Sequence, residues 1–144
     1  RSVFLQNSAF PSPTSNLISN LTKAINGEFT AIHFYEHLAK LAPTQEIQNR
    51  ILEIRNDEMR HFQGFSNSYF SITGHYPTPQ ITEEMPNNFK QGVLGAFKDE
   101  QEAVEFYHLA ARQAGNSYIA HQFQSNASDE QNHAVWFLYF MTHY

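Results

Sequence analysis

Apolar residues recur every three or four positions through four stretches of the chain, and proline or glycine marks each break between them. The first stretch runs through Leu17, Leu21, Ile25, Ile32, Tyr35 and Leu38, the spacing of one helical face. Pro43 stops it, and Thr44 can cap a second helix through Ile47, Ile51, Ile54, Phe62, Phe65 and Tyr69, ending at Gly74. A third starts at Asn87 or Asn88 and continues through Phe97, Val104, Tyr107 and Ala111 to Gly115. Asn116 or Ser117 caps a fourth, through Ile119, Phe123, Phe137 and Met141. Residues 1–16, rich in Ser, Asn and Pro, have no such period and read as an extended N-terminal arm. Residues 74–86 hold three prolines and read as a linker. At about 3.3 Å per residue that linker spans about 40 Å, enough to run the length of a bundle. The pattern predicts one all-α domain over residues 1–144, a four-helix bundle with a long crossover between helices two and three. The second helix would then lie parallel to the third.

The two halves are copies of one another. "AINGEFTAIHFY" (24–35) aligns with "AFKDEQEAVEFY" (96–107) at an offset of 72 residues. The same offset carries "DEMRH" (57–61) onto "DEQNH" (129–133), Ile47 onto Ile119, Phe65 onto Phe137, and the breaker Pro43 onto the breaker Gly115.

The register of this repeat is chemically specific. Glu28 lies 15 residues before Pro43 and Glu58 lies 15 after it. In a helical hairpin both carboxylates therefore sit level, about 22 Å from the turn at 1.5 Å per residue. Glu100, Gly115 and Glu130 repeat the relation. Each Glu also shares a face with apolar neighbours: Ile25, Ile32 and Tyr35 beside Glu28, and Phe97, Val104 and Tyr107 beside Glu100. Four carboxylates, with His61 and His133 one turn from Glu58 and Glu130, converge at mid-height inside an apolar bundle. Four buried carboxylates without counter-charge would cost more than a domain's whole stability. They could be protonated instead, but two divalent cations would offset the charge and use every ligand. Each Glu-x-x-His brings Oε and Nε2 to one face, so each motif can serve one metal with both groups. A third Glu-x-x-His, Glu105 and His108, lies about 140° and about 80° round the helix from Glu100 and is expected to make helix–helix or solvent contacts instead. His37, His75, His121 and His143 lack partners at ligand spacing and read as surface or satisfied histidines.

Composition narrows the chemistry. The chain has no Cys, so thiolate catalysis, iron–sulfur clusters and Cys-ligated zinc are excluded, and any metal rests on His and carboxylates. A net charge of −5 without a basic run gives no footprint for nucleic acid or an anionic membrane. No stretch has the length of a membrane span, and none reads as a signal peptide, so a cytoplasmic location is expected. Thirteen Phe and seven Tyr supply a bulky core.

Gly27-Glu28, DEMRH, Glu100 and DEQNH together resemble the ferritin-like di-iron carboxylate superfamily, and within it rubrerythrins and bacterioferritins. The resemblance covers residues 17 to 142 or so. It implies that Glu28 and Glu100 are terminal ligands, that Glu58 and Glu130 bridge two metals, and that His61 and His133 each take one. It implies further that Asp57 and Asp129 orient the opposite histidine, and that Tyr35 hydrogen-bonds a ligand carboxylate. Tyr107, its copy in the second half, is a candidate for the same supporting role. Two departures stand out. Rubrerythrins carry another Glu three residues after the helix-three ligand, where this chain has Ala103, and they carry a Cys-ligated rubredoxin iron, which a Cys-free chain cannot hold.

The function expected on this basis is a protein with two Fe ions, or Mn, per chain that reacts with O₂ or H₂O₂ as an oxidase or peroxidase. It would draw electrons from an external donor, with a homodimer left open as its assembly. Iron storage is the alternative; it stands lower because the fourth helix ends with the given sequence, leaving no short fifth helix of the kind many cage ferritins use. A manganese catalase-like or structural coat protein is a further alternative.

Overall fold

In the computed structural model, residues 13–144 are described, and they form four helices: α1 (Pro13–Lys40), α2 (Gln45–Thr73), α3 (Phe89–Gln113) and α4 (Ser117–His143). The predicted terminators act as read. Thr44 Oγ1 accepts the Ile47 N–H at 3.2 Å to cap α2, and Asn88 and Asn116 cap α3 and α4 in the same way. Gly74 and Gly115 take φ values of 83° and 66°, the left-handed conformation that a side chain would strain. One boundary differs. Of the arm expected over residues 1–16, residues 13–16 belong to α1 instead, and the remainder lies outside the described residues. Proline reads as a breaker, yet it fits a helix's first turn, where no N–H bond is required of it.

Contacts between named residues fix the topology. Leu38 meets the start of α3, where a Cβ on Gly92 would stand 2.6 Å from Leu38 Cδ1. Asn20 pairs with Gln113 at the other end, so α1 and α3 are antiparallel. Ser68–Gln122 and His61–Asp129 make α2 and α4 antiparallel as well. The crossover climbs the outside of α1: the Gln80 N–H bonds Asn26 Oδ1 at 2.9 Å, and the Thr82 N–H bonds Thr30 Oγ1 at 3.0 Å. It thereby starts α3 at the end where α1 finishes, and α2 runs parallel to α3, as the linker length predicts.

The core divides into two apolar layers. One packs Leu21, Ile25, Phe65, Tyr107, Ala110 and Phe123, the other Tyr35, Leu38, Ile51, Val93, Phe137 and Phe140. The sequence repeat appears in space as a pseudo-two-fold relation between them. Phe65 meets Tyr107 at 5.4 Å between ring centroids, and Phe137 meets Tyr35 at 5.3 Å. Each buried Phe contributes about 1.5–3 kcal/mol through lost water contact. That stabilisation supports the polar layer held between.

Candidate metal centre

The polar layer consists of the six residues that the register brings together. Glu28, Glu58, His61, Glu100, Glu130 and His133 are all at most 3% exposed, one or two from each helix. Their donor atoms form two overlapping sets, Glu28–Glu58–His61–Glu130 and Glu58–Glu100–Glu130–His133, each with its atoms within 4.8 Å of one another. Glu58 and Glu130 belong to both sets. His61 Nδ1 lies 3.0 Å from Glu58, 3.2 Å from Glu28 and 3.4 Å from Glu130. His133 Nδ1 lies 3.3 Å from Glu130 and 3.4 Å from Glu100.

The ring nitrogen that faces the centre is Nδ1, not the Nε2 expected from the spacing. Nε2 turns outward and donates to the opposite half: His61 to Asp129 Oδ2 and His133 to Asp57 Oδ2, both at 2.8 Å. Spacing along a helix fixes where an imidazole starts, whereas the carboxylate behind it decides which nitrogen faces in. Asp57 and Asp129 thus hold the opposite histidines, and both carboxyls lie below their ordinary range. For Asp129 the His61 bond is the chief cause; for Asp57 the bonds from His133 and Arg60 outweigh partial burial.

Two tyrosines complete the frame. The Tyr35 hydroxyl donates to Glu100 Oε2 at 2.6 Å, and Tyr107 donates to Glu28 Oε2 at 2.5 Å. Burial and the adjacent glutamates push both phenols well up, so they remain neutral donors. Glu105 and His108 are exposed, as are His37, His75, His121 and His143.

The electrostatics call for positive charge. Burial, then the neighbouring glutamates, push Glu58 and Glu130 well above the usual carboxylate range. Burial opposes charge on the histidines but is outweighed: His61 rises through Asp129 and three glutamates, and His133 is pushed up to about 10 by Glu100, Glu58 and Asp57. Protons on imidazole and carboxyl groups can balance charge here, but they do not satisfy every buried atom. The Oε1 atoms of Glu28 and Glu100 are buried without a hydrogen-bond partner, and those of Glu58 and Glu130 meet only the imidazole Nδ1 atoms, the nearest at 3.0 and 3.3 Å. Such groups are costly unless something coordinates them. Two nitrogens and four carboxylates suit divalent iron or manganese, so these residues fit a pair of such ions.

A cavity of ≈ 700 Å³ opens between α1 and α3 and reaches Glu28, Glu58, Glu100 and Glu130. Ala24, Gly27, Ala31 and Ala103 line it, and their small side chains leave the space. Glu83, Asp99 and Glu102 also line it. Burial and a hydrogen bond with Glu83 push Asp99 up to about 8. Sequence reading missed these three acids: Glu83 lies in an aperiodic linker, and only the crossover's path brings it to α3.

A bundle that buries paired glutamates and two Glu-x-x-His motifs at one level defines a ferritin-like carboxylate protein. The chain belongs to the rubrerythrin family, whose family model matches residues 19–141. It is 54% identical over 125 residues to YhjR, an uncharacterized protein of Bacillus subtilis, covering 87% of this chain and 86% of that one. Among solved structures, a ferritin-like, diiron-carboxylate protein from Bacillus anthracis matches at a TM-score of 0.82 and 20% identity, over 92% of this chain and 99% of that one. The Desulfovibrio desulfuricans bacterioferritin, described with a diiron site in different catalytic states, matches at 0.80 and 21%, over 93% and 84%. These distant structures share the fold. No described helix is long and apolar enough to cross a membrane.

Proposed function

We propose that this chain holds two iron or manganese ions and reacts with O₂ or H₂O₂ as an oxidase or peroxidase. The observation that carries the reading is the pair of overlapping ligand sets sharing Glu58 and Glu130. In this reading Glu28 and His61 complete one metal's ligands, and Glu100 and His133 the other's. Two adjacent redox-active ions supply two electrons together, as reductive cleavage of an O–O bond requires. The protein's own groups set the conditions. Tyr35 and Tyr107 fix Glu100 and Glu28 by hydrogen bonds that leave each Oε1 free. Asp57 and Asp129 hold a proton on each outward Nε2, keeping Nδ1 available as a ligand. The apolar layers on either side exclude water, and the cavity between α1 and α3 gives a small oxidant its path in. The six side chains would hold two ions and leave room beside them for a small exogenous molecule, whereas purely structural sites are usually closed. With Ala103 where rubrerythrins have a glutamate, and no Cys for a built-in relay, turnover is expected to be slow and to draw on an external electron donor.

The test is anaerobic loading with Fe(II) followed by stopped-flow mixing with H₂O₂ and, separately, with O₂. The reading expects at least one oxidant to oxidise the loaded protein faster than free Fe(II), with the advantage lost in His61→Ala. Oxidation no faster than free Fe(II) with both oxidants would refute it.

A further inference from the structure

The α1–α3 cavity is far larger than O₂ or H₂O₂ requires. Its ≈ 700 Å³ falls in the roughly 300–1,000 Å³ range of small-molecule sites, whereas one water's share of the liquid is about 30 Å³. Its chemistry is divided. Ala31, Phe34, Ala103 and Phe106 make an apolar wall, and Glu83, Asp99 and Glu102 add three carboxyl groups opposed by one ammonium, Lys23. Lys23 Nζ stands 4.3 Å from the centroid of the Phe106 ring, so the chain already places an ammonium on this wall. Glu83 is held rather than loose, because the crossover beside it is tied to α1 through Asn26–Gln80 and Thr30–Thr82. Beyond these groups lie Glu28 and Glu100, which line the same cavity and each carry a buried Oε1 without a hydrogen-bond partner.

We propose that this cavity binds an organic cation of the alkylammonium class, its hydrocarbon body against Ala31, Phe34, Ala103 and Phe106 and its charge among Glu83, Asp99 and Glu102. A bare metal ion makes no use of the apolar wall, and an anion meets the carboxylates of Glu83 and Glu102. The inference needs only the cavity and its lining, so it stands apart from the redox reading.

Calorimetry on the full chain loaded with redox-silent Zn²⁺ tests it, with metal content measured on the same samples so that failed metal binding is seen separately. The probes are hexylammonium, hexanol and hexanoate. Hexylammonium is expected to bind saturably, about tenfold tighter than hexanol, as charge-assisted hydrogen bonds allow, with hexanoate weakest. The double variant Glu83→Gln/Glu102→Gln should bring hexylammonium down to the level of hexanol. Ala103→Phe should remove binding of both while leaving the circular dichroism spectrum unchanged. Absence of saturable hexylammonium binding, hexanoate binding as tightly, or an unaltered affinity in the folded double variant would each overturn the assignment.

Discussion

Tyr107 on α3 donates its hydroxyl hydrogen to Glu28 Oε2 on α1 at 2.5 Å, and so binds the two halves of the repeat through a candidate metal ligand. Tyr35 returns the relation to Glu100 at 2.6 Å. Each half therefore positions a glutamate of the other half's candidate ligand set. Replacing either tyrosine by phenylalanine keeps the ring packing and removes only the donor. Groups that hold a ligand in this way are typically worth ten- to a hundredfold in metal affinity. Tyr35→Phe and Tyr107→Phe are each expected to lose roughly tenfold, and the double variant more, as read by competition with a chelating dye. An unchanged affinity in the double variant would remove the tyrosines from the site's frame.

The aspartates make a directional prediction. Of the two histidines Asp129 holds His61 and Asp57 holds His133, so Asp129→Asn should weaken the first ion and Asp57→Asn the second, each by roughly ten- to a hundredfold. Step-resolved metal titration should show one tight and one weakened event in either variant. Two equally weakened events would mean that the histidines do not divide between the ions.

Much of this was legible in the chain because register along a helix is one-dimensional. Glu28 and Glu58 stand equidistant from Pro43, and no other fold-back of two straight helices brings them level. The levels, the faces and the crossover follow from such counting. Which nitrogen of His61 faces inward does not, since a side chain's last torsion answers to Asp129, 68 positions away in sequence. Nor does the tyrosine exchange: Tyr35 lies seven residues from Glu28 yet bonds Glu100, because α3 packs beside α1 and brings that carboxylate into its reach. The cavity depends on the absence of bulk at Ala24, Ala31 and Ala103, and periodicity cannot register missing bulk.

Proton linkage predicts opposite pH responses with and without metal. In the metal-free protein Glu58, Glu130, His61 and His133 all have raised folded values. A raised value stabilises the fold below the group's unfolded pKa, and that contribution is lost as pH rises through the folded one. The metal-free protein should therefore lose thermal stability from mildly acidic pH up toward about 10, where His133 releases its proton. Asp57 and Asp129, whose folded values are depressed, add stability that disappears only in acid. Bound metal requires deprotonated ligands, so added Mn²⁺ should stabilise more as pH rises. Melting temperatures at about pH 6 and about pH 9, with and without Mn²⁺, check both slopes. Parallel slopes would contradict the linkage.

The central claim is that one chain binds two ions that share Glu58 and Glu130. Native mass spectrometry during anaerobic Fe(II) titration measures this directly. Two ions per chain are expected in the unaltered protein, one well-retained ion in Glu28→Ala, and loss of most of both in Glu58→Ala, because a shared ligand would serve each ion. Saturation at a single ion per chain, or equal metal content in Glu28→Ala and Glu58→Ala, would contradict it.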